Sequence, residues 1–250
     1  MPYIQKLYDV CKASLSTEGP ISEEALEKVR AVLDGLKPSH VGLEHEANLA
    51  RGWRSSMNGR NGRKGRDETP HEPEPPIKYI HLHECDKFSI GIFCMSPGSL
   101  IPLHDHPRMT VLSKVLYGSL LVKAFDWVDL PESNDLSQAA ARPAKHVRDC
   151  QMTAPCDTTI LHPNRGGNLH CFKAVTPCAL FDILSPPYSL EEEENGRNCS
   201  YYHKTPKTDL PVLEELRGMN PSEITWLEVV PPPNDLVIGK GQYKGPIIRR

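Results

Sequence analysis

Ser96–Val111 reads SPGSLIPLHDHPRMTV, and the orientation of His104, Asp105 and His106 within it decides the architecture. Three potential metal ligands stand in a row. Along a β-strand successive side chains point to opposite faces, so residues i and i+2 share a side. On or beside a strand, His104 and His106 therefore face one way and Asp105 the other. Asp105 is expected to be an outward carboxylate, solvated or hydrogen-bonded, and a third ligand has to come from elsewhere.

The flanking sequence supports a strand setting. From Ile77 onward, IKYIHLHE, FSIGIFCM, TVLSKVLYGSLLVKAFDWV, TTILHP, LHCFKAVTPCALFDIL and ITWLEVV are short runs rich in β-formers, separated by Pro, Gly, Asn and Asp. Regular short strands with such punctuation predict an all-β barrel or sandwich. Gly118 falls at an expected hairpin bend between KVLY and LLVKAF.

From Gly98 through His104-x-His106 to Gly118 the spacing resembles the first motif of the cupin barrels, G-x5-H-x-H-x(3,4)-E-x6-G. Val111 stands where that motif has its glutamate. A second cupin-like cluster, HPNRGGNLHCFKA, carries Pro163, Gly167 and His170, with Ala174 where cupins often place asparagine. The resemblance implies a mainly β, cupin double-stranded β-helix barrel whose metal ligands are His104, His106 and His170.

The absent glutamate bears on the chemistry. A 2-His-1-carboxylate set is the common arrangement of non-haem Fe(II) oxygenases. Three neutral imidazoles leave the double positive charge of a metal uncompensated, which favours an anionic ligand. A metal acidifies a coordinated thiol enough to deprotonate it. Three facial ligands leave room for a thiolate and O2 side by side, the arrangement for taking cysteine to its sulfinic acid.

The other histidines carry no such constellation. His81 and His83 form a second His-x-His, but without flanking cupin glycines or a partner segment they read as strand-surface or hydrogen-bonded residues. His162 neighbours the second motif and is either a supporting residue or uninvolved.

Outside the barrel, GPISEEALEKVRAVLDGLKP reads as a helix capped by Ser22, with glutamates in its first turn and Leu26, Val29, Leu33 and Leu36 at helical spacing. Ile4, Leu7, Tyr8, Cys11 and Leu15 repeat the pattern more weakly. Residues 1–50 are thus expected to be a helical segment packed on the barrel, 51–76 a flexible linker or loop, and 77–250 the core. The linker is Gly-, Arg-, Pro- and Glu-rich with almost nothing apolar. Its cluster Arg60, Arg63, Lys64 and Arg66 reads as solvated linker charge, or alternatively as a nuclear-import patch. The acidic run Glu191–Glu194 reads as a solvated surface loop.

A net charge of −3 gives no global field for nucleic acid or an anionic membrane. No apolar run approaches the roughly 20 residues that cross a bilayer, and no secretory signal opens the chain. Eight scattered cysteines without a CxxC pair point to free thiols in a reducing compartment.

At a finer level, HECDKFSIGIFCMSPGSLIPLHDHP, MTVLSKVLYGSLLVKAFDW, GGNLHCFKAVTPCALFDILSPPY and the ending YKGPIIRR resemble the plant cysteine oxidases, thiol dioxygenases related to animal cysteamine dioxygenase. The resemblance spans nearly the whole chain, with the linker as its variable part. It implies one mononuclear Fe(II) on His104, His106 and His170, O2 as co-substrate, and the N-terminal cysteine of proteins as substrate, oxidised to cysteine sulfinic acid. It further implies group VII ethylene-response transcription factors as partners, marked for N-degron degradation in hypoxia sensing, and activity in cytoplasm and nucleus. No direct nucleic-acid or membrane contact is expected, and a monomer is the default.

Two further residues take roles by this resemblance. Asp182, in an otherwise apolar strand, binds the substrate amine or steers protonation near the iron, or alternatively forms a structural ion pair. Tyr188 either hydrogen-bonds dioxygen or substrate at the iron or packs. Cys199 is placed to face Tyr188 or Tyr201, but no Cys–Tyr crosslink is expected. The family pattern PLHNHPGMTV is broken here by Asp105 and Arg108. If the glycine of that pattern needs positive φ, arginine strains the turn, and Arg108 is expected to alter substrate access or preference without disturbing iron. Two alternatives stand beside the peptide reading: a dioxygenase of free cysteine or cysteamine, and a non-catalytic metal-binding cupin.

Overall fold

The apolar spacing of the first fifty residues produces three helices with one buried stripe each. The computed structural model describes residues 1–16, 19–57, 75–129, 141–189, 198–205, 216 and 218–250. Helix α1 (Tyr3–Ser14) buries Ile4, Leu7, Tyr8 and Cys11. Helix α2 (Glu23–Asp34) buries Leu26, Val29 and Leu33, and the Ser22 hydroxyl accepts from the Ala25 N–H at 3.2 Å, as its capping role requires. Pro38 opens a single 3-10 turn (Pro38–Val41) after α2. Helix α3 (Glu44–Met57) runs through the first seven residues of the expected linker. Residues 58–74, including the basic cluster, and the acidic run 191–194 lie outside the described residues.

Among the described residues twelve strands follow: β1 (Ile77–Glu84), β2 (Ser89–Met95), β3 (Leu100–His104), β4 (Thr110–Tyr117), β5 (Ser119–Trp127), β6 (Ala141–Thr153), β7 (Thr159–Leu161), β8 (Leu169–Ala174), β9 (Cys178–Ser185), β10 (Tyr201–Lys204), β11 (Ile224–Val230) and β12 (Ile238–Lys240). They form a six-stranded sheet in the order β12-β1-β2-β9-β4-β7 and a second set, β10-β11-β6-β5-β8-β3, closed by Tyr201 against His104. The fold is mainly β, a sheet and a closed barrel with helices at the N-terminus. Among the described residues no helix is long and apolar enough to cross a membrane.

Both faces of the first sheet are covered, which explains why β4 is buried along its whole length. One face carries Ile80, Ile90, Ile92, Leu112, Phe181 and Ile183 into a core shared with α1 and α2. Full burial of each such side chain contributes about 1.5–3 kcal/mol. Lys114 shares this outer face, and its ammonium donates to the Asp34 carbonyl at the C-terminal end of α2, where a cation suits the helix dipole. The Asp34 carboxylate accepts from the Thr158 N–H at 2.7 Å, so the same residue ties α2 to the barrel twice.

The expected hairpin at Gly118 is not one. β4 pairs with β9 and β7, whereas β5 pairs with β6 and β8, so the chain crosses from one sheet to the other at Gly118. Gly118 adopts φ +74°, and a Cβ there would strike the Pro177 carbonyl, which leaves glycine as the residue for this corner.

His83 lies in the helix–barrel interface, edge-on to Tyr8 at 4.8 Å and near Phe88 at 5.0 Å, with its Nε2 unpartnered. Burial, reinforced by Arg250, His81 and Lys12, holds its imidazole below the ordinary range. The unfolded chain, with a histidine titrating near about 6.5, then binds protons more readily than the folded one. Stability is complete above that pH and is lost as the pH falls through it. His83→Leu is expected to remove part of this acid-side loss, so its Tm falls less than that of the native chain between pH 7.5 and pH 5. Equal falls in a thermal-melt series would contradict this.

Candidate active site

Strands β3 and β8 lie antiparallel with His104 opposite His170, and His106 follows His104 on the same side. The three imidazole centroids stand 4.9, 4.8 and 4.7 Å apart. One ring nitrogen from each lies within 4.8 Å of the others, and all three residues are buried. Each ring is anchored on backbone. His104 Nδ1 meets the Pro102 carbonyl at 2.8 Å and His106 Nδ1 the Asn168 carbonyl at 3.2 Å, while Gly167 backbone holds His170. Carbonyls accept, so Nδ1 of His104 and His106 carries the proton and Nε2 keeps its lone pair.

Burial is the first cause of a lowered pKa in all three, and it takes His106 down to about 3. Neutral imidazole is the ligating form. The trio therefore fits a single metal site with nitrogen donors, and among the described residues no carboxylate belongs to the cluster.

Asp105 faces away, as strand alternation requires, but it is buried rather than solvated. Its carboxylate accepts from the Ser200 N–H at 2.9 Å and the Tyr202 hydroxyl at 2.8 Å, and its own N–H donates to the Ser200 carbonyl. It pins β10 to the histidine loop. The Tyr188 hydroxyl donates to the Asp105 carbonyl at 2.7 Å and its ring packs against the Met109, Val111 and Leu161 cluster. Tyr188 thus buttresses the loop while lining the cavity. Cys199 is in hydrogen-bond contact with both Tyr188 and Tyr201.

Asn168 was not singled out by sequence reasoning, yet it joins the two motifs. Its Oδ1 accepts from the His106 N–H at 3.0 Å, and its Nδ2 donates to the carbonyls of His106 and His162. Asp126 in turn accepts three backbone N–H groups, from Gly166, Gly167 and Asn168. The signal available was the GGN immediately before the second motif's histidine. His162 contributes its backbone here, not its ring.

The histidines open on a cavity of about 390 Å³ whose walls include Phe93, Phe172, Leu180 and Asp182. Two larger clefts, of about 650 and 630 Å³, lie between the helices and the barrel and contain none of the three histidines. The smaller cavity is the chemical one because the converging ligand nitrogens are there. Asp182 is buried, and Ser113 Oγ donates to its Oδ1 at 2.6 Å. Burial pushes its carboxyl up to about 7. Apart from burial, the Ser113 hydrogen bond is the influence on its carboxyl, and no described cation contributes to its shift.

The PCO_ADO family model matches residues 32–248. The chain belongs to this family. Plant cysteine oxidase 2 of Arabidopsis thaliana is 40% identical over 251 aligned positions, covering 98% of this chain and 83% of the relative. Plant cysteine oxidase 1 of the same plant is 42% identical over 207 positions, with 81% of this chain and 64% of the relative covered, a little under two thirds of its length. Human 2-aminoethanethiol dioxygenase is 34% identical over 197 positions, covering 69% and 68%.

Among the described residues Arg108 is the one non-glycine residue with positive φ. It follows Pro107 in a turn closed by the Met109 N–H on the His106 carbonyl, and its φ of +59° is the left-handed value such a turn demands of its third residue. It lines a separate cleft of about 290 Å³ with Ile21, Thr110 and Pro163, not the histidine cavity. Arg108→Gly is expected to raise stability by about 1 kcal/mol, as read by urea unfolding. Asn168→Ala is expected to weaken metal binding by about 10–100-fold in chelator competition while the fold persists. Unchanged affinity would contradict the crosspiece role.

Proposed function

We propose that this chain is an iron-dependent thiol dioxygenase acting on the N-terminal cysteine of proteins. The observation that carries the reading is a trio of buried, neutral imidazoles facing a cavity that no lysine or arginine lines among the described residues. Free cysteine carries a carboxylate beside its reacting group, which enzymes commonly clamp with arginine. A peptide's first residue has no such carboxylate, so the cavity supports a peptide over the free amino acid. The names of the curated relatives agree with thiol oxidation.

His104, His106 and His170 would hold one Fe(II), which supplies acidification of the thiol and activation of O2. The overall change is RSH + O2 → RSO2H, with both oxygen atoms on sulfur and no external reductant. The protein's own groups orient the substrate. Asp182 accepts from the substrate's α-ammonium, the charge that its buried carboxylate lacks among its neighbours, and Ser113 fixes the carboxylate from the other side. Phe93, Phe172 and Leu180 exclude water around the thiol. Asp105 and Tyr188 hold the histidine loop and β10 in place. Sulfinic-acid formation on transcription factors bearing N-terminal cysteine, such as group VII ethylene-response factors in cytoplasm and nucleus, would mark them for degradation when O2 is plentiful.

Mass spectrometry of Cys-initiated peptides incubated with the Fe(II)-loaded chain in labelled O2 tests this. Gain of two labelled oxygen atoms is expected, abolished in His170→Ala. Asp182→Asn is expected to lower kcat/KM by about 10–100-fold, the worth of a hydrogen bond to a charged group. Metal binding without any oxidised product would instead favour a non-catalytic cupin.

A further inference from the structure

The chain's second His-x-His is split by an irregularity in β1. His81 pairs with Gly91, His83 with Ile90 and Glu84 with Ser89, which leaves Leu82 as an extra residue. Cross-strand partners share a face. Ser89, Gly91 and Phe93 line the histidine cavity, whereas Ile90 and Ile92 join the core under the helices. A regular strand would send Tyr79, His81 and His83 to the cavity side and leave Glu84 outside. The bulge shifts the parity by one. His83 is thereby turned under α1 against Tyr8, and Glu84 is turned to line the cavity.

Glu84 is exposed at the end of β1 and makes no ion pair among the described residues. Asp182 lies two strands away, opposite Gly91, itself two residues from Ser89. With strands about 4.8 Å apart and a rise of about 3.3 Å per residue, the two carboxylate-bearing Cα atoms are roughly 12 Å apart. An extended peptide advances about 3.3–3.6 Å per residue. A substrate with its amine at Asp182 therefore carries its second to fourth residues alongside Glu84. Between the two acids stands Tyr79, whose ring occupies the space that a side chain on Gly91 would need. Burial, with Asp182 and Glu84 adding to it, keeps its phenol protonated, a neutral hydrogen-bonding group for the passing peptide backbone.

We propose that Glu84 is a specificity-determining residue that favours substrates with lysine or arginine at positions two to four and disfavours aspartate or glutamate there. This rests on the peptide reading given above. The test uses the full-length Fe(II)-loaded chain and matched Cys-initiated peptides carrying lysine, serine or glutamate at those positions. The native chain is expected to prefer the lysine peptide over the serine peptide by up to about fivefold, as for an exposed ion pair, with the preference shrinking at higher salt. The effect is expected in KM rather than kcat. Glu84→Gln should abolish the ranking among the three peptides, and Glu84→Lys should reverse it. Anaerobic binding of the same peptides, followed by fluorescence anisotropy, reads the preference without turnover. Oxidation with one charge ranking shared by all three proteins overturns the assignment of Glu84. A Glu84-dependent charge ranking in binding with no oxidised product upholds it and overturns the dioxygenase reading instead.

Discussion

The site depends on β3 and β8 lying side by side with His104 opposite His170. That register brings together two segments that are distant in the chain, and Asn168 locks it by engaging both main-chain groups of His106, 62 residues away. Because each anchored Nδ1 faces a carbonyl, the ring orientations are set before any metal arrives. Preorganisation of this kind is what lets neutral ligands converge inside a buried wall without an arrangement cost at binding. Asp105 belongs to the same scheme from the opposite face, holding β10 against the loop.

Strand parity does most of the remaining work. In the histidine loop it separates Asp105 from its neighbours and leaves the cluster without a carboxylate. In β1 a single extra residue reverses it, sending a histidine to the helix interface and a glutamate to the cavity. The cavity's charge follows: carboxylates at Asp182 and Glu84, and no lysine or arginine along its described walls. An environment of that sign welcomes an ammonium and a thiol and resists a carboxylate.

Much of this was legible in the sequence because it rests on local periodicity. The two amphipathic helices, most strands of the first sheet and the outward turn of Asp105 all follow from spacing. Arg108 does hold the positive φ at which, were a glycine usual there, arginine would strain the turn. What escaped was non-local or masked by polarity. β6 was missed because most of its thirteen residues face solvent, with charged side chains through its middle. Gly118 looked like a hairpin bend since its flanking strands are contiguous, yet their partners lie in different sheets. Asn168 and the bulge in β1 have no periodic signature, since their roles exist only once two distant strands are paired. Tyr188 was assigned from its position near the rim, but its hydroxyl is engaged by the Asp105 carbonyl, a partner that sequence could not supply.

The reading proposed is that the three imidazoles would hold one metal with open positions, one of which a peptide thiolate would take. Its most direct measurement is an anaerobic titration of the Co(II)-substituted chain with a Cys-initiated peptide, followed by absorption spectroscopy. A thiolate-to-metal charge-transfer band saturating at one peptide per chain is predicted, absent with the matching Ser-initiated peptide and absent in His170→Ala. A spectrum unchanged by the cysteine peptide, with the metal still bound, would contradict it.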